Sequence, residues 1–394
     1  MKLLTISTLF PNSIDPKHGV FVETRLKHLK KHYPDVDITV VAPVPWFPFT
    51  SDVFGQYGVY AKVPKHEARN GFMVYHPRFL VVPKLGMTLT PKTLAYSLEK
   101  QIQRLIAQGH HFDAIDGHYF YPDGVAIEQV AKKFNLPFTV TARGTDINLI
   151  PQYELPKRQI QQVLQNSDHN MAVCEALRQE MLNLGAEPEK VSTLRNGVDL
   201  ELFTFSDEQR QIALRAKLDL PQDKPIIISV GWLIERKGHH FVIEALAKVP
   251  NAVLLIAGNG PEEQKLKQRV NKLRLNDRVT FLGQQPQSTL CEYYGAANAL
   301  VLASSREGWA NVLLEAMACG TPVVATKIWG SPEVVRHPHA GQLVERNAEQ
   351  IAQAITQLIN KPFSRLETRQ YAEQFDWQST SDKQYQVFSE LVKG

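Results

Sequence analysis

Residues 304–325 read SSREGWANVLLEAMACGTPVVA, and this stretch decides the fold. Just ahead of it, 299–303 (ALVLA) is a short apolar run of the buried-strand kind, and 321–325 ends in a second. Between the two, Arg306-Glu307-Gly308-Trp309-Ala310 has loop composition. Asn311 to Cys319 then has the length of a helix, with Gly320 just past its end and Pro322 opening the next strand. Strand, loop, helix and strand in that order form a parallel crossover unit. Glu307 sits in the loop and Glu315 inside a helix apolar on nearly every side. A buried acid needs a partner, which makes Glu315 a binding candidate rather than a surface charge. The helix N-terminus beside Gly308 offers unpaired N–H groups to an anion.

The same alternation runs along the whole chain. Strands are predicted at 2–8, 37–43, 72–78, 112–118, 138–142, 169–174 and 190–194. A second series is predicted at 225–231, 252–257, 279–283, 299–303, 321–325 and 341–344. Helical patterns separate them, among them 91–108, 122–135, 238–248, 261–275 and 346–360. The expected class is α/β, with two doubly wound, Rossmann-like parallel sheets. The alternation restarts after the polar stretch 206–224, which places a boundary near 203–210. The expected domains are 1–205, joined by a last helix from about 376–394, and 206–375.

Composition narrows the function. With 43% hydrophobic and 21% charged residues the 394-residue chain is globular, and a net charge of +4 is too weak to argue for nucleic acid. Cys174, Cys291 and Cys319 are odd in number and widely spaced, which argues against a disulfide framework or a cysteine zinc site. No apolar run reaches the ~18–20 residues of a spanning helix. Met1-Lys2-Leu3-Leu4-Thr5-Ile6 reads as a first strand, not a leader, so a cytoplasmic location is expected.

Glu307-Gly308-Trp309 through Glu315-Ala316-Met317-Ala318-Cys319-Gly320-Thr321-Pro322-Val323-Val324-Ala325 resembles the Glu-x7-Glu signature of the retaining glycosyltransferases of family 4. That resemblance implies the GT-B fold, two Rossmann-like domains facing across a cleft. It implies that Glu307 binds hydroxyls of a donor sugar and Glu315 those of the nucleotide ribose. Gly308, Trp309, Ala310, Asn311 and Val312 would line the donor. Val230-Gly231-Trp232-Leu233-Ile234-Glu235-Arg236-Lys237-Gly238 is similar to the family's VGRLxxxKG, so Arg236 and Lys237 would face the donor diphosphate, with Gly231 beside them. Trp232 stands where the family commonly has Arg. Ala257-Gly258-Asn259-Gly260-Pro261-Glu262 and Phe281-Leu282-Gly283 resemble its base-lining segments, which names Gly258, Gly260 and Leu282.

In the first half, Pro16 to Glu23 resembles the loop by which the family brings backbone, here Gly19, up to sugar and diphosphate. His118 of Asp116 to Gly124 and Arg143 and Asp146 of Thr141 to Asp146 lie on loops after strands, where function concentrates. By resemblance His118 joins the catalytic set, and Arg143 takes a place that is His in many relatives. Arg195-Asn196-Gly197-Val198-Asp199 resembles PNGVD, with Asn196 a further donor candidate.

The resemblance implies transfer of a sugar from a nucleoside diphosphate sugar to a hydroxyl, with retention and without cofactor or metal, in bacterial cell-surface polysaccharide or glycolipid assembly. Alternatives on the same fold are a sugar-nucleotide 2-epimerase and a non-catalytic sugar-nucleotide or glycan binding protein. Asp35-Val36-Asp37 precedes a strand and reads as a turn rather than a metal site. No phosphate loop or dinucleotide fingerprint is present. The acceptor, a glycan or a lipid-linked sugar, leaves no signature. Arg25-Leu26-Lys27-His28-Leu29-Lys30-Lys31-His32, Pro45-Trp46-Phe47-Pro48-Phe49 and Phe79-Leu80-Val81-Val82 near Lys84 read either as peripheral contact with the inner face of a membrane or as ordinary surface and core.

Overall fold

The computed structural model describes residues 1–81 and 86–393. Val82 and Lys84 of the apolar segment above lie outside the described residues. The chain divides into two compact units, Met1–Asn196 with Gln378–Gly394, and Gly197–Trp377.

In the first unit, one sheet runs in the order Val191–Thr193, His169–Ala172, Phe138–Ala142, Ala114–His118, Lys2–Ile6, Asp37–Val41, Phe72–Tyr75 and His66–Arg69. All neighbours are parallel except the last pair. His66–Arg69 is a strand that the sequence hides: it is polar, lies at the edge and has no apolar alternation. The helix Val20–His32 covers Leu3, Ile38, Val40 and Val74 with Val22, Leu26 and Leu29. The last helix, Trp377–Lys393, inserts Phe388 into this same core, and its Tyr385 stacks on Tyr33 at 3.9 Å.

The second unit has a six-stranded, wholly parallel sheet in the order Val279–Gly283, Val253–Ala257, Ile226–Val230, Ala299–Leu302, Val323–Thr326 and Gly341–Val344. Order reverses at Ile226–Val230, so the carboxyl ends of it and of Ala299–Leu302 form the switch point where such sheets bind ligands. His239–Lys248 and Ala348–Asn360 bury Val242, Ile243, Leu246, Ile351 and Ile355 on the sheet.

Part of the polar stretch 206–224 is not linker. Glu208–Lys217 is a helix whose N-cap Asp207 accepts the backbone N–H of Arg210. Its few apolar positions conceal it. Leu214 and Arg215 are its buried residues, and Arg215 satisfies the carbonyls of Ala296 and Gln222. Arg25 corrects the reading of 25–32 as a basic surface: it is 1% exposed and donates to Leu194 O at 2.6 Å. Trp46 and Phe49 are exposed, and Phe47, Phe49 and Phe54 cluster with one another.

Candidate active site

At the switch point of the second unit, two loops are tied together before any side chain is considered. Ser305 N donates to Arg236 O at 2.8 Å, and Arg346 donates to both Ala303 O and Glu235 O. The turn Glu235–Lys237 therefore lies against the loop that follows Ala299–Leu302. Lys237 Nζ meets Glu307 Oε1 at 2.5 Å, Arg236 Nη1 lies 3.6 Å from Glu307 Oε2, and Ser304 Oγ donates to Glu307 at 2.6 Å. Burial pushes the Glu307 carboxyl up, but Lys237 and then Arg236 outweigh it and hold it below the ordinary range. The side chains of Lys237 and Glu307 are 17% and 10% exposed, so this is a nearly dry pair with one open side.

The neighbouring strand ends complete the floor. Gly231 N donates to Ala257 O and Gly258 N to Gly283 O, while Lys237 carbons lie 3.5 Å from where a Gly231 Cβ would stand. At Gly258, φ is +146° and a Cβ would fall 1.9 Å from Gly231 O, so only glycine lets the two turns touch. Gly260 packs as closely on Leu233, and Leu282 O accepts from Gln285. Gly308 and Ala310 are buried, and Trp309 is turned inward at 7% exposure with its ring 6.2 Å from Phe375. Asn311 and Val312, in the first turn of Asn311–Ala318, remain partly exposed, and Ala310 at the N-cap brings no capping side chain.

Glu315, one turn along that helix, is 8% exposed, and among the described residues its partners are neutral: Tyr294 OH donates to Oε2 at 3.1 Å and Gln287 Nε2 to Oε1 at 3.5 Å. Burial raises its carboxyl to about 7. Ser304, Arg346, Tyr294 and Gln287 were missed by the sequence reading. Ser304 alone left a signal, its spacing of three from Glu307. The others are distant in sequence, with nothing local to mark them.

Gly19, His118, Arg143, Asp146 and Asn196 belong to the first unit. Gly19 (φ +67°) opens the helix Val20–His32, and a Cβ there would stand 2.2 Å from Leu9 O, so its need for glycine is met inside the protein. His118 is 0% exposed, with Nε2 3.2 Å from Asp116 Oδ2 and Nδ1 accepting from Arg143 Nη2 at 2.5 Å. Burial, with Arg143 adding, outweighs Asp116 and lowers the imidazole to about 4, so it is neutral. Arg143 also reaches Asn196 Oδ1 at 3.4 Å and lies over the Phe21 ring. Asp146 accepts the backbone N–H groups of Phe120, Arg143 and Gly144 and fixes the loop. Asp123, in the Asp116 to Gly124 segment read from sequence, accepts Thr8 N–H and Oγ1–H. A cavity of about 200 Å³ beside it is lined by Leu9, Phe10, Val59, Tyr60 and Phe79 with Asn12 and His18.

Two family models tile the chain: residues 22–202 match Glycosyltransferase Family 4 and residues 210–375 match Glycosyl transferases group 1. The chain is a GT-B-fold glycosyltransferase related to these two families. It is 29% identical over 365 residues to the "Putative teichuronic acid biosynthesis glycosyltransferase TuaC" of Bacillus subtilis, which covers 90% of this chain and 88% of that one. It is 30% identical over 246 residues to the N-acetyl-alpha-D-glucosaminyl L-malate synthase of Bacillus anthracis, 61% of this chain and 63% of that one. Among solved structures, HepE of Anabaena in complex with UDP superposes with a TM-score of 0.75 at 21% identity, covering 99% of this chain and 100% of that one. At that identity the likeness is one of fold. The transferase has, among the described residues, no helix long and apolar enough to cross a membrane.

Proposed function

We propose that the transferase moves a sugar from a nucleoside diphosphate sugar to an acceptor hydroxyl with retention, in assembly of a bacterial cell-surface polysaccharide or glycolipid. The carrying observation is the Lys237–Glu307–Arg236 cluster at the switch point of the second sheet. Lys237 has three donors and spends one on Glu307, which leaves two for diphosphate oxygens; Glu307 keeps lone pairs for sugar hydroxyls. As the glycosidic bond breaks, the diphosphate gains charge that Lys237, Arg236 and the N-terminus of Asn311–Ala318 stabilise without reorganising. The acceptor proton passes to the departing phosphate oxygen, so catalysis is positioning and fixed charge, with no protein nucleophile. Glu315 accepts from the ribose, and Gly231, Gly258, Gly260 and Leu282 border the base. The first unit takes the acceptor, for which its apolar cavity beside Asp123 is suited. His118 acts there by holding Arg143 rather than by proton transfer.

The test is calorimetry of the full chain with a panel of nucleoside diphosphate sugars, followed by assay of nucleoside diphosphate release. One donor should bind, and release should require an acceptor. Release without acceptor, or binding without any transfer to glycan and lipid-linked acceptors, would sink the proposal.

A further inference from the structure

The three cysteines are widely spaced in sequence, yet the fold of the second unit brings two of them together. Cys319 Sγ lies 3.8 Å from Cys291 Sγ, both as free thiols. Gln287, Cys291 and Tyr294 occupy positions i, i+4 and i+7 of the helix Gln287–Ala296, and so share one face. Glu315 and Cys319 are likewise i and i+4, at the body and C-cap of Asn311–Ala318. The same two helix faces are thus joined by adjacent rungs: Gln287 and Tyr294 to Glu315, and Cys291 to Cys319.

We propose that Cys291 and Cys319 are a reversible oxidative modification site that a hydroperoxide closes to a disulfide, and that closure weakens nucleotide binding through the neighbouring Glu315 rung. The second half rests on the reading of Glu315 as the ribose acceptor. The two sulfurs are already in contact, and forming the bond requires them to approach by roughly 1.8 Å from their 3.8 Å separation. Cys291 lies in the middle of its helix and Cys319 at the C-cap of the other, so the motion is taken up by side-chain rotation and a small shift at the Cys319 helix end. Tyr294 and Gln287, one turn to either side of Cys291, move with it, and the hydrogen bonds that fix Glu315 are reset.

The two thiols differ as attacking and resolving groups must. The S–H of Cys319 donates to Cys291, and this contact, against burial and with help from Thr204 and Arg210, brings the Cys291 thiol down to about 6. Burial drives Cys319 well above its ordinary value. Cys291 is 6% exposed and Cys319 0%, so a small oxidant meets Cys291 first. The Cys291 thiolate attacks one peroxide oxygen, the O–O bond breaks and hydroxide leaves, giving a sulfenic acid. The Cys319 sulfur then attacks that sulfur, its proton joins the departing hydroxyl, and water leaves as the disulfide forms. The hydroxide takes up the proton that Cys291 shed in forming its thiolate, so that one peroxide is reduced to two waters in all, and a thiol reductant reverses the change.

Full-length protein is treated with excess hydrogen peroxide, alkylated, digested and mapped by mass spectrometry, while affinity for UDP, GDP and ADP is followed by calorimetry. A peptide pair joined through Cys291 and Cys319 should appear and be cleaved by dithiothreitol. Cys174, in the other unit, should remain alkylated as a thiol. Affinity for the nucleotide that binds should fall about tenfold, as for a charge-assisted hydrogen bond lost, and return on reduction. Peroxide should leave the affinity of Cys319→Ala unchanged. Free alkylation of both Cys291 and Cys319 after peroxide overturns the site. A cross-linked protein that binds as tightly as the reduced one, or a Cys319→Ala variant that still loses affinity, overturns the coupling. If reduced protein binds none of the three nucleotides, the ribose reading fails with the coupling, and the cross-linked peptide still decides the thiol site by itself.

Discussion

Replacing Lys237 by Met keeps most of the side-chain volume and removes the charge from beside Glu307. A fully buried pair broken on one side costs about 3–5 kcal/mol, because the surviving charge is left uncompensated. Here Glu307 keeps the Ser304 hydroxyl and Arg236 at 3.6 Å, and the pair is 17% and 10% exposed. The expected cost of Lys237→Met is therefore lower, about 2 kcal/mol. Glu307→Gln leaves an ammonium that can turn to water and should cost about 1 kcal/mol. The double variant removes both charges and should also cost about 1 kcal/mol, a coupling of about 2 kcal/mol from urea unfolding. The pH profile gives an independent sign. A carboxyl held low in the folded state contributes stability that is present above its unfolded value and is lost as pH falls through its folded one. That acid limb should flatten in Lys237→Met. Turnover should fall ~10²–10³-fold in each single variant and hardly further in the double, as for groups acting together on one transition state. Additive stability effects with near-normal turnover in folded single variants would refute the reasoning.

Arg236 is 30% exposed and donates to Arg306 O, so Arg236→Ala should cost less than about 1 kcal/mol of stability but ~10²-fold in turnover; near-normal initial rates would assign the second cation elsewhere. Because burial lifts the Glu315 carboxyl to about 7, and on the proposed reading a ribose hydroxyl donates to its ionised form, nucleotide affinity should weaken as pH falls through that value. Calorimetry should find this dependence lost in Glu315→Gln, and an equal slope in both proteins would exclude the assignment. Transfer should persist in excess EDTA, because on the same proposed reading Lys237 and Arg236 supply the positive charge. Loss restored by manganese would contradict that.

The sequence by itself determined the two parallel-sheet units, because most buried strands are short apolar runs and helix-length periodic stretches separate them. It also marked Glu315, as an acid inside an apolar helix, and, through the resemblance to the family 4 motifs, Glu307, Arg236 and Lys237 on loops after strands. What it left out is what depends on contact across the sequence. That Lys237 closes on Glu307, 70 residues away, follows from the hydrogen bond between the loops carrying them. His118 reads from sequence as a polar group on a strand-end loop, and the structure encloses it at the end of Ala114–His118 between Asp116 and Arg143. Arg25 read as one charge on a basic face, and the helix turns it to the core. Cys291 and Cys319 read as unrelated, and two helix faces set their sulfurs in contact. Periodicity fixes which side of an element is buried, because burial repeats along one chain segment. Which groups meet inside is fixed by how separate segments pack, and only the tertiary structure decides that.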